Sequence, residues 1–158
     1  IDESTFEDIK SSINKASVFE QDLATGKAVE ELVLSIIKKK YPLAVIIDGK
    51  FKDYDIFIPE NGKKVEVKVD YKTHETGNML VELQMFNKPS ALLSTKADYW
   101  IFYTGKEFLW TTPARLIECI MLNNIQSQAI TGRGDSQSKI ACLIPNQLFK
   151  KYTILLNN

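Results

Sequence analysis

Apolar and polar positions change their rhythm twice between Tyr54 and Asp70. Ile56, Phe57 and Ile58 form an unbroken apolar run headed by Asp55, and Pro59 to Gly62 supply turn residues. Val65, Val67 and Val69 then alternate with Glu66, Lys68 and Asp70. A period of two marks a half-buried strand, with the valines on one face and the two acids and the lysine on the other. The pattern predicts two strands joined by a turn. If they pair, Asp55 at the start of one approaches Glu66 on the next.

Upstream the period is helical. Phe6, Ile9 and Ile13 recur on one face over residues 3–15, with Ser4 or Thr5 placed to cap a short amphipathic helix. A second helix is expected from about Thr25, as its cap, to Lys40, on the stripe Ala28, Val29, Leu32, Val33, Ile36 and Ile37. Lys38 to Lys40 complement the dipole of its last turn, and Pro42 stops it. At about 100° per residue Glu30 lies on the flank of the stripe and Glu31 nearly opposite it. Only Glu30 can lean toward a site at a sheet edge.

Leu43 to Ile47 reads as a first strand, with Asp48-Gly49 as a turn. Residues 71–78 read as a polar loop, Met79 to Leu83 as a strand, and Lys88-Pro89-Ser90 as the cap of a short helix from Ala91 to Thr95. Tyr99 to Tyr103 is a continuous apolar and aromatic run, expected to be a central strand buried on both faces. Gly105-Lys106 turns into Phe108 to Thr111, and Pro113 opens a helix ending near Leu122. Residues 123–139 are polar and read as a mobile loop, before a last strand from Ile140 to Ile144 and a last helix from Pro145 to Lys151. This order predicts a mixed α/β fold, and 158 residues suit one domain, 1–158, with a real core.

Lysine and arginine balance aspartate and glutamate at 20 against 20, so net charge favours no class of partner. From Lys38 to Lys72, however, nine lysines face six acids, and this surplus flanks the strand pair, where a phosphate backbone would sit. A solvated face is the plainer account of such a run. Cys119 and Cys142 lie in apolar contexts without metal-type spacing and are expected to be buried thiols in a reducing compartment. With no leader, membrane-spanning run or lipidation motif in the sequence, the expectation is a cytoplasmic protein with no membrane partner.

Two carboxylates and a lysine on one sheet edge form a hard-cation site with an ammonium beside it, suited to Mg²⁺-dependent attack on phosphate. The plain alternative for Glu66 and Lys68 is a surface ion pair worth little, and that alternative does not require Asp55 nearby. Glu82, between Val81 and Leu83, can reach the site from the adjacent strand as a supporting ligand, or simply be exposed. Asp53 could replace Asp55 if the register slips by two. Lys72, His74 and Asn78 border the expected site and Arg133 lies in the later polar loop, which makes these four the candidate substrate contacts. His74 is the only histidine, so neither a Ser or Cys nucleophile with its base nor a zinc site is supported.

A helix glutamate, a strand aspartate and Glu-x-Lys on the following strand resemble the PD-(D/E)xK nuclease superfamily. That superfamily includes many restriction endonucleases, Holliday-junction resolvases and phage nucleases. The likeness covers roughly residues 25–103. Thr76-Gly77-Asn78-Met79-Leu80-Val81-Glu82 and Thr95-Lys96-Ala97-Asp98-Tyr99-Trp100 also resemble segments of phage and bacterial members. Tyr54 stands where the family usually has proline. The resemblance implies a restriction-endonuclease-like fold, a mixed central β-sheet flanked by helices. It implies Asp55 and Glu66 as ligands of Mg²⁺, with Mn²⁺ as a substitute and the Val67 carbonyl as a third oxygen. Lys68 would then orient the attacking water or stabilise charge on the phosphate, and Glu30 would hold a water-mediated metal contact or a second metal.

The function expected on these grounds is DNA hydrolysis by an endonuclease that leaves a 5′-phosphate, in a host cell if the protein is phage-encoded. One small chain has little surface for extensive base readout, which favours structure-selective cutting or a homodimer with one active site per strand. Two rivals stand beside it. One is a nucleic-acid-binding or assembly protein of the same fold without turnover, although Asp55, Glu66 and Lys68 together argue against decay. The other is a nuclease acting on RNA, which presents the same phosphate.

Overall fold

A computed structural model describes residues 18–49, 52–85, 87–131 and 139–156, with the backbone alone for residues 18–25. The helix expected over residues 3–15, and Arg133 with its loop, lie outside the described residues. Helix α1 spans Val18–Lys38. Strands β1 (Val45–Ile46), β2 (Ile56–Ile58) and β3 (Lys63–Val69) follow. The short helix α2 (Thr73–Thr76) precedes β4 (Asn78–Met85) and β5 (Lys88–Pro89). After a single 3-10 turn at Ala91–Leu93 come β6 (Tyr99–Tyr103), β7 (Phe108–Thr111) and α3 (Pro113–Leu122). The chain closes with β8 (Ser127–Ile130), β9 (Lys139–Pro145), α4 (Asn146–Lys151) and β10 (Ile154–Leu155).

The architecture is α/β, with two sheets rather than the one central sheet expected. The first is mixed and six-stranded, ordered β1-β2-β3-β6-β7-β10, and the second has four antiparallel strands, ordered β5-β4-β9-β8. Strands β3 and β6 are parallel, while β1–β2, β2–β3, β6–β7 and β7–β10 are antiparallel. Strand β4 lies within the connection between β3 and β6, yet pairs with β9 from Asn78 opposite Pro145 to Met85 opposite Lys139. A parallel pair needs a long connection, and here that connection carries β4 and β5 of the second sheet.

Two cores cover the two faces of the mixed sheet. On one face Val29, Leu32, Val33 and Ile36 of α1 bury against Ile56, Ile58, Val65, Ile101 and Tyr103. On the other, Trp100 and Phe102 meet Met79, Val81, Cys142 and Ile144 of the second sheet, with Leu116 and Cys119 of α3 and Phe149 of α4. Strand β6 is therefore covered on both sides, as its unbroken apolar run predicts. Both cysteines are free and buried. Among the described residues no helix is long and apolar enough to cross a membrane.

Several boundaries differ from the sequence pattern. Helix α1 already covers Val18–Lys38, so Thr25 lies inside it and is no cap; a single interior glycine such as Gly26 costs only about 1 kcal/mol and does not by itself end a helix. The expected loop 71–78 contains α2, nucleated by Asp70, whose carboxylate accepts the Lys72 and Thr73 N–H groups at 3.0 and 3.2 Å. Gly77, at φ 76°, closes that turn in the left-handed conformation. The helix expected at Ala91–Thr95 is one 3-10 turn without a Ser90 side-chain cap. Within the expected polar loop 123–139, Ser127–Ile130 pairs with β9, so backbone bonding rather than burial makes it a strand. Strand β1 is two residues long, and the two-residue edge strand β10 left no readable pattern.

Candidate active site

The site is built where strands β2 and β3 part. Their ladder runs from Ile58 opposite Lys63 to Ile56 opposite Val65. One residue earlier the Asp55 N–H still donates to the Val65 carbonyl at 2.9 Å, and the Asp55 carbonyl accepts the Ile47 N–H at 2.8 Å. At the next position β2 offers no backbone partner, and the Asp55 carboxylate takes over, accepting the Val67 N–H at 2.7 Å. Asp55 is only 6% exposed. In a regular strand a residue's N–H and C=O face the same neighbour, so the Val67 carbonyl lies on the Asp55 side of β3.

Alternation puts Glu66 and Lys68 on the face of β3 opposite Val65. Lys68 Nζ stands 3.3 Å from Glu66 Oε1 and 5.3 Å from the centre of the Trp100 ring, whose residue pairs with Glu66 across β3 and β6. Glu30 enters from α1 and meets Asp55 through a lysine: Lys52 Nζ lies 3.1 Å from Glu30 Oε1 and 3.1 Å from Asp55 Oδ1.

The electrostatics follow from this crowding. Burial pushes the Glu66 carboxyl up to about 7; the neighbouring Lys68 opposes that rise and the Asp55 charge adds to it. Glu30 is also raised, by burial first and then by Asp55, against the pull of Lys52. Burial tends to lower the Lys52 ammonium, yet its hydrogen bonds to Asp55 and Glu30 lift it above its ordinary value. Three carboxyl groups thus share two ammoniums in a partly desolvated pocket, where burial and the Asp55 charge hold Glu30 and Glu66 toward their neutral forms.

Lys68 sits at the junction of two cavities. One, of about 240 Å³, is lined by Glu66, Lys52, Asp53 and Thr95. The other, of about 300 Å³, is lined by Asp70, Leu80 and Glu82. Both share Lys68, Ala91 and Trp100. Ala91 takes a left-handed φ of 43° there, a conformation that costs a residue with a Cβ on the order of 1 kcal/mol. Trp100 Nε1 donates to Thr95 Oγ1 at 3.0 Å, fixing the ring beneath the ammonium.

Of the residues expected from the sequence, Glu30, Asp55, Glu66, Val67 and Lys68 come together here. Glu82 does not arrive on an adjacent strand of the same sheet, because β4 belongs to the second sheet. It shares the larger cavity with Lys68, its carboxylate accepting the Ser90 hydroxyl at 2.6 Å and lying 3.8 Å from Lys139 Nζ. Asp53 is exposed and pairs with Lys96 at 3.3 Å, so the register has not slipped. Lys72, His74 and Asn78 line neither cavity at Lys68. His74 belongs to a separate space of about 70 Å³ beside Asn146 and Lys150, while Asn78 Nδ2 donates to the Thr76 carbonyl.

The lysine surplus also disperses. Lys39 and Lys40 line an apolar groove with Tyr41, Tyr99 and Trp110, and Lys64 stacks on Tyr54. Among the described lysines, only Lys52 and Lys68 line the cavity at Glu66. Sequence reasoning missed the roles of Lys52, lost within that run, and of Trp100, read simply as core. The matching parity of β3 and β6 was the available signal for Trp100.

No preformed metal cage exists: among the described residues, no group of three or more His, Cys, Asp or Glu side chains is arranged to hold an ion. Mg²⁺ does not need one, since it keeps several waters and binds through one or two carboxylates and substrate phosphate. Asp55, Glu66 and the Val67 carbonyl are an all-oxygen set of that kind. No family model, curated protein or solved structure matches the chain.

Proposed function

We propose that this protein is a Mg²⁺-dependent endonuclease that hydrolyses DNA phosphodiester bonds, with a restriction-endonuclease-like PD-(D/E)xK core. The observation that carries the reading is the union of Asp55, Glu66 and Lys68 at the point where two strands part. Each comes from a different position in the sequence pattern, and Glu30 joins them from the helix.

Asp55 and Glu66, with the Val67 carbonyl, would hold the ion. When bound, Mg²⁺ supplies a water of lowered pKa and charge stabilisation at phosphate. Lys68 stands between the two cavities and neutralises charge on a phosphate lying there. Trp100 beneath it restricts the ammonium to that position, and the Asp55–Val67 bond keeps the carboxylate fixed before substrate arrives. Glu30 orients solvent on the helix side. A homodimer would deliver one such site to each strand of a duplex.

A second reading has its own observation. Lys52 already bridges Glu30 and Asp55, as a nucleic-acid-binding protein without turnover would permit. Cleavage assays separate the two, using supercoiled plasmid, a four-way junction, single-stranded DNA and RNA with Mg²⁺, Mn²⁺ or EDTA. Metal-dependent cutting that disappears in Asp55→Asn and Lys68→Ala supports the nuclease, and the preferred lane names the substrate. Binding without cutting in either metal supports the non-catalytic protein.

A further inference from the structure

We propose that Lys52 is an internal counter-cation, holding the oxygens of Glu30 and Asp55 until a divalent cation displaces it. This rests on the metal-dependent reading above and assigns a role to a lysine that the reading leaves unused. The ammonium is shared between a carboxylate on α1 and one at the head of β2, at 3.1 Å from each. An ammonium donates and never accepts, so it competes with a metal ion for the same lone pairs. Two cations cannot be held on one carboxylate edge without strong mutual repulsion.

Charge balance points the same way. A metal ion takes its carboxyl ligands deprotonated, and in that state Glu30, Asp55 and Glu66 carry three negative charges against Lys52 and Lys68. Exchanging Lys52 for a divalent ion brings the cluster to neutrality, whereas adding the ion with both lysines in place leaves it positive. The four-carbon stem of lysine is flexible. The Lys52 side chain is 25% exposed, so its head group can swing out to solvent when a divalent ion takes its place.

The test is Mn²⁺ binding, followed by the electron paramagnetic resonance signal of the free ion at fixed pH and low salt. Wild type is compared with Lys52→Gln, Lys52→Met and the double variant Lys52→Gln/Asp55→Asn, with thermal melts to verify folding. Removing the competitor is expected to tighten Mn²⁺ binding about tenfold, and Asp55→Asn should abolish that gain. A lysine needed only to hold the site together would do the opposite, because its loss would scatter the oxygens and weaken binding. Lys52→Gln keeps an N–H donor for the carboxylates and carries the test if Lys52→Met fails to fold. Unchanged or weaker binding, with wild type still binding Mn²⁺, overturns the proposal and leaves the metal reading intact. No binding by any of the proteins overturns both.

Discussion

The carboxylate of Asp55 accepts the backbone N–H of Val67 at 2.7 Å. One side chain thereby completes the edge of β3 where β2 turns away, and stands beside Glu66 and Lys52. Its structural bond and its proposed ligand role can be separated by choosing the right substitution.

Asparagine at position 55 retains an oxygen for the Val67 N–H, whereas alanine leaves that half-buried N–H without its partner. Asp55→Ala is expected to lose about 1–3 kcal/mol more stability than Asp55→Asn in urea unfolding, while both lose cleavage. Equal stability of the two variants would show that the bond contributes nothing.

Lys68→Met keeps an unbranched stem over Trp100 and deletes the charge. Cleavage should fall by about 10²–10³-fold, as for loss of one preorganised group at a developing oxyanion. Mn²⁺ affinity should not fall with it. A parallel loss of metal binding would make Lys68 a residue that organises the ligands instead.

Glu66 makes stability depend on pH in the metal-free protein. Its folded pKa of about 7 lies above the ordinary 4.5, because burial disfavours the charged form and the attraction of Lys68 does not offset it. The folded state then binds the proton more tightly than the unfolded one, so this contribution is fully present below about pH 4.5 and is lost as pH rises through about 7. Denaturant titrations in EDTA across that range should show stability declining from this term. The decline should flatten in Glu66→Gln, and an identical pH profile in that variant would remove Glu66 as its source.

His74→Ala should change the cleavage rate by no more than about twofold, the usual span of a surface substitution away from a site. His74 belongs to a separate cavity with Asn146 and Lys150. A loss of tenfold or more in a rate assay would bring the α2 turn back into substrate contact.

Much of this molecule was legible along the chain. The Asp55-Ile-Phe-Ile run, the alternation from Val65 to Val69 and the Pro113 helix start appear where the pattern puts them. Thr112, just before that helix, accepts the Arg115 N–H at 3.2 Å as its cap. Period and capping are local, so they survive folding with little change. What misled the reading was contact at a distance. Ser127–Ile130 looks like loop because it sits in a polar stretch, and pairing with β9 makes it a strand. Glu82 looks like a neighbour of Glu66 because the strands follow one another, yet the connection carries it into another sheet.

The sequence by itself determined the α/β class, the parity that puts Glu66 and Lys68 on one face, and the acids worth watching, because these depend only on the geometry of a single strand or helix. Tertiary structure alone decided that Asp55 rather than Asp53 is buried against β3, that Trp100 lies under Lys68, and that Lys52 bridges Glu30 to Asp55. The physical reason is range. A side chain's face is set by its immediate backbone, but its electrostatic partners are set by which distant segments the two cores press together.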